Sequence, residues 1–451
     1  MHVTAKVFGI LAAMIVLGIA GWTGWLVLFR RDALEIGSAY AAKTVCSNVF
    51  LANRDVDSIL RDDLLALGHP IFHLMKITVD TAERRVSAGY FGFFAKRHAV
   101  FIEGRGCTNV LQDAAWKRPA PLPSLPEKDP GVLWPAGEKV QQADNARLQA
   151  VIHDPALQGP GMRAILVVQD GRIIAETYGA GFTASTPLQG WSMSKTVTAA
   201  LVGLAIKDGK LSLDQTHLFA PWDSDARADI SVADLLEMAD GLAWNEDRGF
   251  PTDPARMEYL LNDAAAFARD RPRVAVPGST FHYSSGATVL LTRLWQNAID
   301  GDAMAYARER LFAPLGMNSA VIEADEAGTL LGEGFLYATA RDWARFAEFL
   351  RLGGEWNGRH ILPSSFIDFM RTPFAASDGG HGPLYGHGQL WLAQGQGMGL
   401  PAGTFMLAGH LRQVTAIIPS HRLIILRMGV TREDIGFSNA KLLRAIVAAV
   451  L

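Results

Sequence analysis

Residues 191–206 read WSMSKTVTAALVGLAI, and this stretch decides the fold. Apolar residues recur with helical spacing over 196–206, which predicts a buried helix just after the serines. Ser192 and Lys195 are three residues apart, so on a helix they share a face and the lysine amine can approach the serine oxygen. A serine hydroxyl needs such a partner to act as a nucleophile. We expect burial, together with a neighbouring cation or hydroxyl, to lower the pKa of Lys195.

Two later stretches supply the context that an isolated Ser-x-x-Lys pair needs. Residues 277–286 read PGSTFHYSSG and lead from a turn into a helix, so Tyr283 is a candidate proton carrier. Residues 408–413 read AGHLRQ, where glycine and polar residues interrupt an apolar strand. A substrate could lie along that edge, and a backbone N–H there could complete an oxyanion hole.

The pattern over 140–451 predicts a mixed α/β (α+β) domain. The apolar run 164–168 turns at Asp170-Gly171 and returns at 173–175, which is typical of a strand hairpin. Two strands, 404–418 and 423–428, are predicted near the other end, before a last helix over 439–450. Further helices are predicted near 286–298, 302–313, 340–351 and 363–370. We therefore expect one antiparallel sheet completed by both ends of the domain, flanked by helices and with an inserted helical lobe.

These motifs together resemble the serine β-lactamase and penicillin-binding-protein superfamily. The quoted residues are Trp-Ser-Met-Ser-Lys-Thr at 191–196, Gly241-Leu242 with Trp244-Asn245-Glu246, the segment 277–286, and Ala-Gly-His-x-x-Gln at 408–413. Within the superfamily the chain is most similar to the class C-like branch, which includes 6-aminohexanoate-dimer hydrolases and related esterases. The resemblance covers about residues 140–451.

The resemblance implies roles for particular residues. It makes Ser192 the acylated nucleophile, Lys195 its base or proton partner, and Tyr283 the third catalytic group. The backbone N–H groups of Ser192 and His410 would bind the oxyanion. Candidates for contact with the substrate are Trp191, Trp244, Trp391, Ser285 and Gly409, although tryptophans are more often part of a core. Asp240 and Glu246 are expected to be structural or to orient the substrate.

Two departures from the superfamily's pattern affect the expected substrate. Its Tyr-x-Asn motif reads Tyr283-Ser284-Ser285 here, as it does in esterases and amidases of the branch. Its Lys-Thr-Gly motif is replaced by Leu407-Ala408-Gly409, and we do not expect the Glu-x-x-x-Asn loop by which class A enzymes of the superfamily deacylate. We therefore expect a serine hydrolase that cleaves a small amide or ester through an acyl-enzyme on Ser192. The alternatives are a β-lactamase or D-amino-acid cell-wall peptidase, and a non-catalytic binding or scaffold protein with this fold.

Composition excludes several classes of protein. Of the 451 residues, 49% are hydrophobic and 19% charged, which argues against a disordered chain. The formal net charge of −3 offers no basic surface for nucleic acid. Neither a metal nor another cofactor is expected.

The N-terminal residues 1–30 contain a predicted transmembrane anchor. Residues 7–29 form 23 consecutive positions without a charge, long enough to cross the roughly 30 Å of a bilayer core. Lys6 precedes the run and Arg30-Arg31 follow it, which by the positive-inside rule favours a cytoplasmic C-terminal domain. The resemblance points the other way, because enzymes of the superfamily are commonly exported. We expect a single-pass protein of a bacterial inner membrane with a periplasmic catalytic domain.

Two segments lie between this run and the main domain. Residues 31–117 carry alternating stretches that predict a small β-rich module with an antiparallel meander. Cys46 and Cys107 both fall there, and they would pair outside the cytoplasm but remain separate thiols inside it. The expected export favours the pair. Residues 118–139 contain six prolines by position 135, which predicts a linker.

Overall fold

The described chain begins with a helix packed on a small sheet. The structure is a computed structural model that describes residues 31–374, 384–393 and 397–451. Helix α1 (Arg31–Cys46) is followed by the short α2 (Val56–Ile59). Four antiparallel strands follow in chain order: β1 (Met75–Asp80), β2 (Arg85–Tyr90), β3 (Phe94–Ile102) and β4 (Gly106–Val110). The strands occupy the region of the predicted meander, whereas α1, which packs on β2 and β3, was not predicted.

A buried ion pair joins this module to the rest of the chain. Lys43 Nζ of α1 lies 2.8 Å from Glu323 Oε2 and donates to the Cys107 carbonyl oxygen at 2.5 Å. The other oxygen of Glu323 accepts from Ser47 Oγ at 2.6 Å and from the Cys107 N–H at 2.7 Å. Cys46 and Cys107 are joined in a disulfide, with Cα atoms 6.1 Å apart. The module therefore meets the main domain through charged groups that are shielded from water.

The main domain is built on one antiparallel sheet. Its strands, with those of smaller sheets, are β5 (Met162–Gln169), β6 (Arg172–Tyr178), β7 (Leu188–Gln189), β8 (Val321–Ile322), β9 (Leu336–Ala338), β10 (Glu355–Trp356), β11 (Arg359–His360), β12 (Tyr385–Gly386), β13 (Leu390–Leu392), β14 (Phe405–Gly409), β15 (Gln413–Ile418) and β16 (Leu423–Gly429). The large sheet has the order β12-β13-β14-β15-β16-β5-β6, so both ends of the domain contribute to it, as predicted. A small second sheet has the order β7-β9-β8.

Helices cover both faces of the large sheet. They are α3 (Ala146–Ile152), α4 (Pro155–Gln158), α5 (Met193–Lys207), α6 (Val232–Leu236), α7 (Asp253–Tyr259), α8 (Ala264–Arg269), α9 (Ser285–Ala298), α10 (Ala303–Ala307), α11 (Ala313–Leu315), α12 (Ala340–Arg351), α13 (Ser364–Arg371) and α14 (Asn439–Val450). Ile165 and Val167 of β5 pack with residues of α3 and α14, whereas Leu166 and Val168 pack with residues of α5 and α12. Successive side chains of a strand point to opposite faces, so both faces of the sheet are buried. Helices α6 to α11 belong to the segment inserted between β6 and β12, which matches the predicted lobe.

The strand predicted over 404–418 is in fact a hairpin. It divides into β14 and β15, which pair antiparallel from Phe405↔Ile417 to Gly409↔Gln413. Leu411 and Arg412 reverse the chain with φ of 59° and 67°. The interruption at 408–413 was interpreted as a break within one strand, because neither Leu411 nor Arg412 is a glycine and the apolar pattern continues on both sides.

The expectation of a single-pass inner-membrane protein is corrected. Among residues 31–374, 384–393 and 397–451, no helix is long and apolar enough to cross a membrane. Helix α1, which begins at Arg31, has 16 residues and includes Asp32, Glu35 and Lys43. The predicted span over 7–29 lies outside the described residues, so no helix of this structure supports the expectation.

Candidate active site

Ser192 lies at the turn that leads into α5. Trp191 has a left-handed backbone conformation with φ of 50°, and the Lys195 N–H donates to the Ser192 carbonyl oxygen at 3.1 Å. An added Cβ at Gly190 would lie 2.2 Å from the ring of Trp343, so only glycine fits before the turn. Within the described part of the chain, the Ser192 N–H donates no hydrogen bond. The turn thus places a partly exposed hydroxyl and a free N–H at a helix N-terminus.

Lys195 is 1% exposed and donates to three oxygen atoms. Its Nζ lies 3.2 Å from Ser192 Oγ, 3.1 Å from Ser285 Oγ and 2.9 Å from the Glu333 carbonyl oxygen. An ammonium has three N–H donors and no acceptor, so these contacts match the protonated form. The structure therefore brings the two residues of the Ser-x-x-Lys motif together, with Ser285 beside them.

The expected direction of the Lys195 pKa shift is wrong. Burial alone lowers the pKa of this ammonium, but neighbouring acidic groups outweigh burial and raise it above its usual value. Those groups, in order of decreasing effect, are Tyr283, Glu246, Glu333 and Glu258. The site accordingly favours the charged form of Lys195 before any substrate is bound.

Two of these acids were missed by the sequence analysis. Glu333 is 1% exposed, and neither of its carboxylate oxygens has a hydrogen-bond partner among the described residues. Burial raises the pKa of Glu333 to about 7, and burial together with the charge of Glu333 raises that of Glu258 well above its usual range. Glu333 belongs to no local motif. Glu258 and Asn262 have the Glu-x-x-x-Asn spacing that was not expected, and this spacing is the signal that the sequence analysis missed.

Ser285 and Glu246 continue the hydrogen-bonded chain from Lys195. Ser285 Oγ donates to Glu246 Oε1 at 2.7 Å, and the Ser285 N–H donates to Glu246 Oε2 at 3.0 Å. Trp244 Nε1 donates to the same Oε2 atom at 2.5 Å. The buried Ser285 hydroxyl thus lies between the lysine and a carboxylate.

Tyr283 is held by aromatic side chains next to Lys195. Its ring stacks on Trp391 at a centroid distance of 5.7 Å and meets the edge of Tyr385 at 6.0 Å. Lys195 Nζ lies 5.2 Å from the centre of the Tyr283 ring. The structure therefore places Tyr283 with Ser192 and Lys195, and Trp391 packs directly on it.

The edge of β14 lies close to the serine turn. A Cβ added at Gly409 would lie 2.3 Å from the Gly190 carbonyl oxygen and 3.1 Å from Trp191 Cβ. The ring of His410 meets that of Trp191 at 5.3 Å in an edge-to-face arrangement. Gly409 and His410 are thus adjacent to the residues that precede Ser192.

The remaining candidates lie behind the site. Trp244 is buried, and a Cβ added at Gly286 would lie 2.7 Å from its ring. Asp240 is 4% exposed and accepts from the Leu242 N–H at 2.8 Å. Burial raises the pKa of Asp240 to about 7. Trp244 and Asp240 therefore pack in the loop that carries Glu246.

Comparison with known proteins identifies the family. The family model described as Beta-lactamase matches residues 149–448, well over half of the chain. The chain belongs to this family. The resemblance to the serine β-lactamase and penicillin-binding-protein superfamily is thus confirmed, and the antiparallel sheet flanked by helices is the fold of that superfamily.

Named relatives of this β-lactamase-family chain include hydrolases. The chain is 26% identical over 223 residues to the 6-aminohexanoate-dimer hydrolase of Paenarthrobacter ureafaciens, a match that covers 46% of this chain and 56% of that relative. The chain thus spans about half the length of this curated relative. The structure of a penicillin-binding protein homologue from Caulobacter crescentus has a TM-score of 0.55 at 17% identity, covering 69% of this chain and 99% of that one. The structure of EstCE1, a hydrolase with promiscuous acyltransferase activity, has a TM-score of 0.53 at 18% identity. The match covers 67% of this chain and 97% of that one. At these identities the two structures show a shared fold alone.

Proposed function

We propose that this β-lactamase-family hydrolase cleaves a small amide or ester through an acyl-enzyme on Ser192. The observation that carries the proposal is the 3.2 Å contact between Ser192 Oγ and Lys195 Nζ at the start of α5. The name of a curated relative, a 6-aminohexanoate-dimer hydrolase, is in keeping with acyl transfer. We place this chemistry in residues 140–451.

In the proposed reaction, Ser192 Oγ attacks the carbonyl carbon of the substrate. The Lys195 ammonium stabilises the serine oxygen as its proton leaves, and Tyr283 carries that proton to the departing nitrogen or oxygen. The N–H groups of Ser192 and His410 bind the oxyanion of the tetrahedral intermediate. A water molecule then attacks the acyl-enzyme, releases the acid and restores the Ser192 hydroxyl.

The walls of the site favour an apolar or aromatic acyl group. Trp191 and Trp391 are partly exposed beside the serine and the tyrosine, and Gly409 of β14 lies against the turn that precedes Ser192. Ser285, which was expected to contact the substrate, instead bonds to Lys195 and Glu246. We therefore assign substrate contact to Trp191, Trp391 and Gly409.

A β-lactamase or D-amino-acid cell-wall peptidase is the alternative within enzymes. The superfamily's Lys-Thr-Gly motif holds the carboxylate of such substrates, and Leu407-Ala408-Gly409 stands in its place on β14. Leu407 is buried and offers no charge. The proposal therefore favours neutral esters and linear amides over β-lactams.

The test is hydrolysis of a panel of acyl esters, linear amides and a chromogenic cephalosporin by the purified protein. We expect Ser192→Ala to lower kcat/KM for the best ester or amide by about 1,000-fold or more, because the nucleophile is lost. Ser224→Ala, which changes an exposed serine outside the motifs, is the matched control and should keep full activity. Wild-type rates in Ser192→Ala would contradict the mechanism. No reaction with any acyl probe would favour the non-catalytic scaffold.

A further inference from the structure

We propose that Glu246, acting through Ser285, is a positioning residue that fixes Lys195 beside Ser192. The proposal rests on the proposed function, because it concerns the lysine of that reaction. It assigns to Glu246 a role in holding Lys195, in contrast to the structural or substrate-orienting role expected from its place in the loop.

The Glu246 carboxylate is itself held rigidly. Oε1 accepts from the Ser285 hydroxyl, and Oε2 accepts from both the Ser285 N–H and Trp244 Nε1. The indole that makes the last contact packs against Gly286, where any side chain would collide with it. Three donors on two oxygens leave the carboxylate a single orientation.

The orientation of the carboxylate decides how Ser285 can bond to Lys195. A serine hydroxyl has one proton to donate, and at 2.7 Å that proton goes to Glu246 Oε1. The same oxygen can then only accept from Lys195 Nζ, which lies 3.1 Å away. A hydroxyl polarised by a carboxylate is a stronger acceptor than a free one. The Lys195 ammonium is thereby held by a fixed acceptor within hydrogen-bond distance, while it also contacts Ser192 Oγ.

The negative charge of Glu246 also favours the protonated form of Lys195. The acidic groups that face Lys195 come from four places: Tyr283 before α9, Glu246 after α6, Glu333 before β9, and Glu258 on α7. Lys43 of α1 is a cation close enough to act on Glu258 and Glu333. Removal of one negative charge from this set lowers the pKa of Lys195. If the ammonium is the active form, the alkaline limb of the pH profile then moves to lower pH.

The test compares Glu246→Gln, Ser285→Ala and the double variant with the wild type. We expect each single variant to lower kcat/KM by about 10- to 100-fold, and Glu246→Gln to shift the alkaline limb to lower pH. The two changes act on one chain of contacts. The value of kcat/KM for the double variant should therefore be little lower than that of the less active single variant. Asp247→Asn, an exposed acid next in sequence, is the matched control and should leave the pH profile unchanged. Glu246→Asp keeps the charge and should keep the wild-type alkaline limb.

Two outcomes would overturn the proposal. A rise in KM with an unchanged pH profile in Glu246→Gln would mean that the carboxylate contacts the substrate. Independent, additive losses in the double variant would mean that Glu246 does not act through Ser285. Labelling of Ser192 by a fluorophosphonate in the wild type separates this proposal from the proposed function. If the wild type is not labelled, the proposed function itself has failed, and the present inference fails with it.

Discussion

The carboxyl group of Asp240 is buried beside the candidate active site. It is 4% exposed, and burial raises its pKa from 3.8 to about 7 despite the hydrogen bond from the Leu242 N–H. A carboxyl group with a raised pKa in the folded state stabilises the fold below its unfolded pKa. That contribution is lost as pH rises from about 4 through about 7.

Asp240→Asn should therefore change the pH dependence of stability. The free energy of unfolding of the variant, relative to the wild type, should increase between pH 5 and pH 8 by up to about 1.4 kcal/mol per pH unit below pH 7. Urea denaturation at the two pH values measures this, and any cost that does not depend on pH cancels in the comparison. The exposed Asp247→Asn is the control. If the free energy of unfolding differs between Asp240→Asn and the wild type by the same amount at pH 5 and pH 8, Asp240 is ionised over that whole range.

At the scale of single residues, the sequence was informative where function depends on local spacing. Ser192 and Lys195 are three positions apart on one helix, so a pattern of two residues predicts their contact. Glu333 and Lys195 are 138 positions apart and meet only because β9 lies next to the start of α5. The direction of the Lys195 pKa shift depends on such distant acids and could not be predicted from the motif.

At the scale of elements, the approach of β14 to the turn before α5 depends on a glycine. Gly409 has an extended backbone, with φ of −138°, so its conformation does not require glycine, but the neighbouring Gly190 carbonyl oxygen leaves no room for a Cβ. Gly409→Ala should push β14, and with it His410, away from the turn that precedes Ser192.

We expect Gly409→Ala to lower kcat/KM by about 100-fold, as a displacement of about 1 Å at a reacting site does. Stability should fall by only about 1–3 kcal/mol, the usual cost of overpacking. Ester hydrolysis and thermal unfolding measure the two effects. Gly334→Ala is the control, because its added Cβ would meet no atom within 4 Å. Full activity of Gly409→Ala would argue against an oxyanion site at His410.

The sequence predicted the elements better than their ends. The helix expected over 196–206 begins at Met193 and ends at Lys207, since the apolar spacing that predicts it reflects its burial. The hairpin within 404–418 was missed, because its reversal uses left-handed Leu411 and Arg412, which carry no turn signature.

At the scale of the whole molecule, the N-terminal module is fixed to the main domain by Lys43 and Glu323. The two residues are 280 positions apart, and Glu323 is 0% exposed. Lysine and glutamate are usually found at the surface, so the sequence could not predict that they would pair in the interior. The packing of residues 31–117 against the main domain was likewise beyond local patterns.

Lys43→Met should destabilise the protein by about 3–5 kcal/mol, because it leaves the buried Glu323 carboxylate without its cation. The double variant Lys43→Met/Glu323→Gln should recover part of that loss, since both charges are then removed. Arg31→Met, which breaks the exposed contact with Glu35, should cost less than about 1 kcal/mol. Urea denaturation measures all three. A loss below 1 kcal/mol for Lys43→Met would show that the ion pair does not hold the module.

The central claim is that Ser192 carries the acyl group during turnover. The most direct measurement is mass spectrometry of the protein quenched within seconds of mixing with an activated acyl ester, followed by peptide mapping. We expect an added acyl mass on the peptide that contains Ser192 in the wild type, and no such mass in Ser192→Ala. Hydrolysis that continues with no adduct at Ser192, or an adduct at another residue, would contradict the central claim.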